Sequence, residues 1–280
     1  IDRPALEADG LIAGYGPTIK GRPVVTTLDN VSFSLEAGKV LAVIGESGSG
    51  KTTLAKVLAG LHPPTQGRTL LKGEALRALS AQRSLEERRR VQLVFQMADT
   101  ALNPRHMVGR VLGRAIRFYH GCSKDEAQAE VRRLLTMVQL PPDYAGRLVR
   151  RLSGGEKQRV NLARALAAQP EVVICDEITS ALDTVVARSI IELIDRLRIE
   201  MGLAVIFVSH DLAAVADLAD DILVMRRGRT VAYGSAVEIL SNPADPYVRL
   251  LIASAPELRI GWLEEAAATR VALQDKLKAM

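Results

Sequence analysis

One stretch, Gly45-Glu46-Ser47-Gly48-Ser49-Gly50-Lys51-Thr52-Thr53, limits what this chain can fold into more than any other. It follows a continuous apolar strand, residues 40–44, and opens a helix over about 52–59 that Gly60 and Pro63-Pro64 close. The glycines let the backbone curl until successive N–H groups point inward, and the helix start adds its positive end, so the loop is suited to phosphate. Lys51 is placed for β- and γ-phosphates, and the Thr52 hydroxyl for Mg²⁺. A Gly/Ser loop alone would be ordinary; between a buried strand and a helix it implies an α/β fold.

The rest of the chain fits that frame. Short apolar runs at 172–175, 204–209 and 222–225 alternate with helices over 184–200 and 211–218. Continuous rather than alternating apolar strands imply a mostly parallel sheet covered on both faces. Residues 24–44 differ, with strand-like stretches at 24–27 and 31–35 and turn signals at Asp29-Asn30 and Ala37-Gly38-Lys39, which predicts an antiparallel β subdomain. From about 97 to 150 the pattern turns helical, over 107–119 and 123–139, the latter opened by Ser123 with Glu126 three residues on. That predicts a helical insert. After Pro243 and Pro246 come a short helix and, past Gly261, a charged helix over 263–279 that reads as an appendage.

Composition excludes several classes. With 280 residues, 48% of them hydrophobic, the chain is not disordered and has enough length for one large domain. Lys+Arg 37 against Asp+Glu 32 leaves +5, which favours an anionic partner without choosing one. Aromatics at 4%, with no basic-aromatic interleaving, lack the stacking platforms of single-strand binders, so no nucleic acid is expected. The longest apolar run, 203–208, has six residues where a membrane span needs about 20. Cys122 and Cys175 form no disulfide framework or metal spacing, which fits a reducing compartment. Ile1 in place of Met is expected to mark a trimmed start or the continuation of a longer polypeptide.

Two further motifs carry chemistry. Residues 171–175 lead to Asp176-Glu177, where Asp176 is placed for the metal and Glu177, one residue on, for the attacking water. Alone, an apolar strand ending in Asp-Glu leads to a solvated turn; the phosphate loop upstream gives it weight. Leu152-Ser153-Gly154-Gly155-Glu156 opens a helix over about 160–168, with Ser153 as natural N-cap and two glycines baring its first N–H groups as a second anion site.

In the order Gly45 to Thr53, Gln96, Leu152 to Glu156, Asp176-Glu177, Ser180-Ala181-Leu182-Asp183 and His210, the sequence resembles the ATP-binding subunits of ATP-binding-cassette (ABC) transporters. The resemblance spans about residues 9–253 and implies an ABC cassette over 1–240 that binds ATP and Mg²⁺ and hydrolyses ATP. It implies a head-to-tail pair of cassettes in which each phosphate loop faces the partner's Ser153-Gly154-Gly155-Glu156. By the same resemblance Gln96 touches metal and water at the joint with the helical lobe, His210 contacts the γ-phosphate, Asp183 couples the two sites and Tyr15 stacks on adenine. The spacer 17–23 after Tyr15 is longer than usual.

Leu102-Asn103-Pro104-Arg105 and Asn242-Pro243-Ala244-Asp245-Pro246-Tyr247 resemble the branch that imports di- and oligopeptides or nickel, making 241–280 a C-terminal extension of that type. The partners implied are two permease subunits and, indirectly, a periplasmic solute-binding protein, with the chain peripheral on the cytoplasmic face of the inner membrane. Residues 241–280 contain no cysteine, so no iron-sulfur cluster is expected. Four positions depart from the family pattern: Met97-Ala98 for Asp-Pro, Glu156 for glutamine and Ile178 for proline. The Glu156 carboxylate would repel the partner's phosphates unless Lys157 or Arg159 offsets it. A soluble ABC-type ATPase acting on DNA or ribosomes would carry a long coiled coil or two cassettes; 107–119 and 123–139 are too short for the first, and the Ile1 start leaves room for a fused tandem. A P-loop kinase or GTPase leaves 152–156 unexplained.

Overall fold

The computed structural model describes residues 3–254. The chain opens with a long antiparallel hairpin, β1 (Leu6–Ile19) and β2 (Arg22–Leu35), turned at Lys20-Gly21. The long spacer after Tyr15 is therefore a hairpin tip, with Ile19 paired to Arg22. The turn expected at Asp29-Asn30 is instead a bulge inside one continuous strand: Asn30, at φ 58°, lies between the pairs Leu11↔Val31 and Ala13↔Leu28. Next come β3 (Val40–Ile44), the phosphate loop and α1 (Lys51–Leu58). With β4 (Gln66–Leu71) and β5 (Glu74–Ala75), the hairpin builds a four-stranded sheet in the order β2-β1-β4-β5.

After α2 (Leu85–Arg90), capped by Ser84 and Glu87 together, β6 (Val91–Val94) leads into the helical insert. The insert holds α3 (Ala98–Ala101), α4 (Val108–His120) and α5 (Lys124–Met137). Its two longer helices bury Val108, Leu112 and Ile116 against Val131, Leu134 and Leu135, residues spaced by three or four, as a helix stripe requires. The capping box at Ser123 and Glu126 forms as the sequence indicates.

The chain then returns to the core through α6 (Gly154–Leu166), β7 (Val172–Asp176), α7 (Thr184–Met201), β8 (Ala204–Val208), α8 (Leu212–Leu218) and β9 (Asp221–Arg226). It finishes with β10 (Arg229–Ser235), α9 (Ala236–Ser241) and α10 (Pro246–Ala253). The second sheet has the order β10-β9-β3-β8-β7-β6, parallel except for β10 at its edge. Among the described residues no helix is long and apolar enough to cross a membrane. The helix expected over 263–279 lies outside the described residues.

The parallel strands are apolar throughout because each feeds two cores. In β3, Val40, Ala42 and Ile44 pack with the helical insert, α6 and α7, while Leu41 and Val43 pack with α1 and the antiparallel sheet. β7 divides likewise, with Val173 and Cys175 on one side and Val172 and Ile174 on the other. Tyr247 and Val248 of α10 are buried in the first of these cores.

Candidate active site

Four neighbouring parallel strands end on one side, and their carboxyl ends carry the candidate residues in spatial order. β3 runs into the phosphate loop, β8 into Ser209-His210, β7 into Asp176-Glu177, and β6 into Phe95-Gln96. Open α/β sheets bind ligands in the crevice beyond these ends. Residues up to 165 apart in sequence are gathered only by this strand order.

Gly50 caps α1 at φ 107°, and a Cβ there would lie 2.5 Å from the Thr27 carbonyl oxygen, so glycine alone fits. Glu46, Ser47 and Gly48 are exposed at the rim, whereas Ser49, Lys51 and Thr53 are buried. Lys51 Nζ donates to the Gly45 carbonyl (2.8 Å) and the Glu46 carbonyl (3.0 Å), folding back over its own loop. Burial lowers its pKa, against the pull of Glu177, Asp176 and Glu46. Thr52 Oγ1 donates to Asp176 Oδ1 at 3.3 Å. Burial pushes the Asp176 carboxyl above its ordinary value, and the adjacent Glu177 charge adds to the push.

Glu177 has φ 48°, a left-handed conformation that costs a non-glycine residue free energy and swings its side chain out of the strand line. Its N–H donates to the Val208 carbonyl (3.0 Å), and its own carbonyl accepts from the Ser180 N–H (3.2 Å) and hydroxyl (2.9 Å). Gln96 Nε2 donates to Glu177 Oε2 (3.2 Å) and Ser180 Oγ (3.0 Å). From the other side His210 Nδ1 stands 3.9 Å from Glu177 Oε1, beyond hydrogen-bond range. Glu177, Ser180, Ser209 and His210 line a cavity of about 190 Å³.

These residues fit Mg²⁺. That ion takes one or two protein carboxylates and completes its shell with phosphate oxygens and water. Thr52 and Asp176 supply a hydroxyl and a carboxylate side by side. The amide contacts of Gln96 are made through its nitrogen, leaving its carbonyl oxygen as a third donor. Among the described residues no group of three or more His, Cys, Asp or Glu is placed to hold a metal, and a Mg²⁺ here would complete its shell with phosphate oxygens and water.

The α6 start is closed by a capping box: the Glu156 N–H donates to Ser153 Oγ (3.3 Å), and the Ser153 N–H to Glu156 Oε2 (2.7 Å). The N–H groups of Gly154 and Gly155, first in the helix, are left for a ligand. Neither Lys157 nor Arg159 pairs with Glu156 in this chain: Lys157 pairs with Asp99 (2.7 Å), and Arg159 with the Val138 carbonyl (2.9 Å) and Gln139 (2.8 Å). Instead Glu156 is held internally. The Ser153 N–H holds its carboxyl below the ordinary value, and the Tyr144 hydroxyl donates to it at 2.8 Å. A Cβ on Gly155 would come 2.5 Å from Val186 of α7, and Asp183 caps that helix by accepting from the Val186 N–H (3.0 Å).

Tyr15 lies on the other sheet, half-exposed, with its ring 4.8 Å from that of His62. His62 Nε2 lies 2.8 Å from the Gly14 carbonyl. Three participants escaped the sequence reading: His62, Tyr144 and Tyr247, whose hydroxyl accepts from the Glu46 N–H at 3.0 Å. Only Tyr247 had a signal, its place in the segment 242–247; the others meet their partners through the fold alone.

A phosphate loop, an acidic strand end and a glycine-led helix around one sheet define a P-loop ATP-binding cassette. The family model for ABC transporters matches residues 28–180. The Di/tripeptide transport ATP-binding protein DppF of Pseudomonas aeruginosa is 40% identical over 239 residues, covering 85% of this chain and 74% of that one. The Dipeptide transport ATP-binding protein DppF of Escherichia coli is 38% identical over 262 residues, 92% of this chain and 78% of that one. The chain belongs to the ABC transporter family, among its ATPase cassettes. In structure it is similar to cbiO1 from Clostridium perfringens, part of the ABC transporter complex cbiONQ, with TM-score 0.75 and 25% identity over 86% of this chain and 92% of that one. It is also similar to the dimeric ATP-binding cassette MJ0796 in a post-hydrolysis state with ADP and Pi (TM-score 0.71, 27% identity, 82% and 98%).

Proposed function

We propose that this cassette hydrolyses ATP to power an inner-membrane importer of peptides or peptide-like solutes. The observation that carries the hydrolytic part is the meeting of Gln96, Ser180 and His210 around the Glu177 carboxylate, beside the Thr52–Asp176 pair. Water attacks the γ-phosphorus in line, the bond to the bridging oxygen breaks with its electron pair leaving on ADP, and Glu177 accepts the proton. Gln96 and His210 orient the water and the γ-phosphate, and Lys51 trades its carbonyl contacts for phosphate oxygens. Mg²⁺, held by Thr52, Asp176 and Gln96, neutralises phosphate charge when bound.

Two copies, or this chain and a homologous cassette, close head to tail so that Ser153, Gly154 and Gly155 of each meet the other's nucleotide. Asp183 links the two sites, and Tyr15 offers its face to adenine with His62 behind it. The similarity to a dimeric cassette supports this arrangement. Peptide import follows from the dipeptide and di/tripeptide names of the relatives, which also favour two permeases, a periplasmic binding protein and a peripheral place on the cytoplasmic face.

Glu177→Gln tests the chemistry: ATP binding is retained and hydrolysis falls at least about a hundredfold, whereas wild-type turnover removes Glu177 from its role. For the transport half, ATPase activity of the co-purified membrane complex is measured with and without dipeptide-loaded binding protein. Stimulation is expected, and indifference to both partner and peptide overturns the import reading.

A further inference from the structure

We infer that Tyr247 is a positioning residue for the phosphate loop, so that α10 helps set nucleotide affinity through one tyrosyl hydroxyl. The inference rests on the loop binding ATP phosphates and goes beyond it. The Glu46 N–H donates to Tyr247 Oη at 3.0 Å across 201 residues of sequence. Nothing about this contact is loose. The ring is 1% exposed, is packed in the core with Val248, and lies under the Arg226 guanidinium, 4.7 Å from its centroid. Its backbone is fixed by Asp245, which accepts from the Tyr247 N–H at 2.7 Å, and by Pro246 at the helix start.

The Glu46 backbone is held on both sides of its Cα. Tyr247 takes its N–H, while its carbonyl accepts from Lys51 Nζ (3.0 Å) and the Ser49 N–H (3.1 Å). When phosphate arrives, Lys51 turns to it and leaves the carbonyl. The hold on Glu46 then rests on Tyr247 and the Ser49 N–H, so the hydroxyl matters more with nucleotide than without. A contact equal in both states would move stability and leave affinity untouched; this one moves both. Arg226 ends β9, which pairs with β3 through Ile44↔Val224, so one side chain ties α10 to both the loop and its supporting strand.

The test uses the full chain and titrates a fluorescent ATP analogue with Mg²⁺ into wild type, Tyr247→Phe and Lys51→Ala. Phenylalanine keeps the ring packing and deletes only the hydroxyl. The expected result is a Kd raised about two- to threefold, a part of the worth of one neutral hydrogen bond, since the contact is also made without nucleotide. KM should rise by the same factor, kcat should stay within about twofold, and the nucleotide-free Tm should fall by no more than about 2–4 °C. An unchanged Kd overturns the inference whatever the Tm, because it marks a contact equal in both states. Wild-type binding that Lys51→Ala does not weaken overturns the phosphate reading of the loop itself, and the inference with it.

Discussion

Asp176 and Lys51 are buried charges of opposite sign, and burial drives each toward its neutral form. Burial gives the charged form of Asp176 a cost to stability, and the adjacent Glu177 charge adds to it. A carboxyl whose folded pKa lies above its unfolded value, 3.8, holds its proton more tightly in the fold. Stability is therefore lost as pH rises from 3.8 through the raised value, and the loss persists at neutral pH. Asp176→Asn, which can still accept from Thr52, should raise the nucleotide-free Tm by a few degrees at pH 7 and by little below about pH 4, while Mg²⁺-dependent hydrolysis disappears. A Tm equal to or below wild type at pH 7 would count against this. At this scale the residues of the phosphate loop and strand end were legible, since their chemistry depends on types at fixed spacing. The left-handed backbone of Glu177 and the Tyr144–Glu156 contact were not, because both depend on chain direction and distant neighbours.

Helix α6 separates two kinds of prediction. Glu156→Gln, the residue usual in the family, can fill the same capping box and should leave the urea midpoint nearly unchanged, whereas Glu156→Ala should cost about 1 kcal/mol. If glutamine costs as much as alanine, the box is not what holds the helix start. Gly155→Ala gains helix propensity but drives a Cβ into Val186, so a net loss of about 1–2 kcal/mol is expected, with α6 displaced from α7. The same scale shows where the sequence was opaque. The capping boxes at Ser123 and Ser153 were legible from local spacing. Strand β1 was not, because Gly10, Gly14, Gly16 and Pro17 together with its register shifts erase the alternation by which a strand is recognised.

Across the whole molecule, two cores share one parallel sheet, and the site spans the ends of four of its strands. Association into a head-to-tail pair predicts that Glu177→Gln with ATP elutes from size exclusion at twice the monomer mass, returning to monomer when Lys51 is also replaced. A monomer under saturating ATP would argue against paired cassettes. Three contacts from α6 hold the segment that carries Gln96: Asn161 to the Phe95 carbonyl (3.2 Å), Lys157 to Asp99 (2.7 Å) and Arg164 to the Ala101 carbonyl (2.6 Å). The helix thus presents bared N–H groups at one end and clasps the 95–101 segment along its length. Ten residues of helix rise about 15 Å, and a rod that short barely bends. A nudge at Gly154 therefore arrives at Ala101 with its direction preserved, as a push rod carries motion between two parts of an engine.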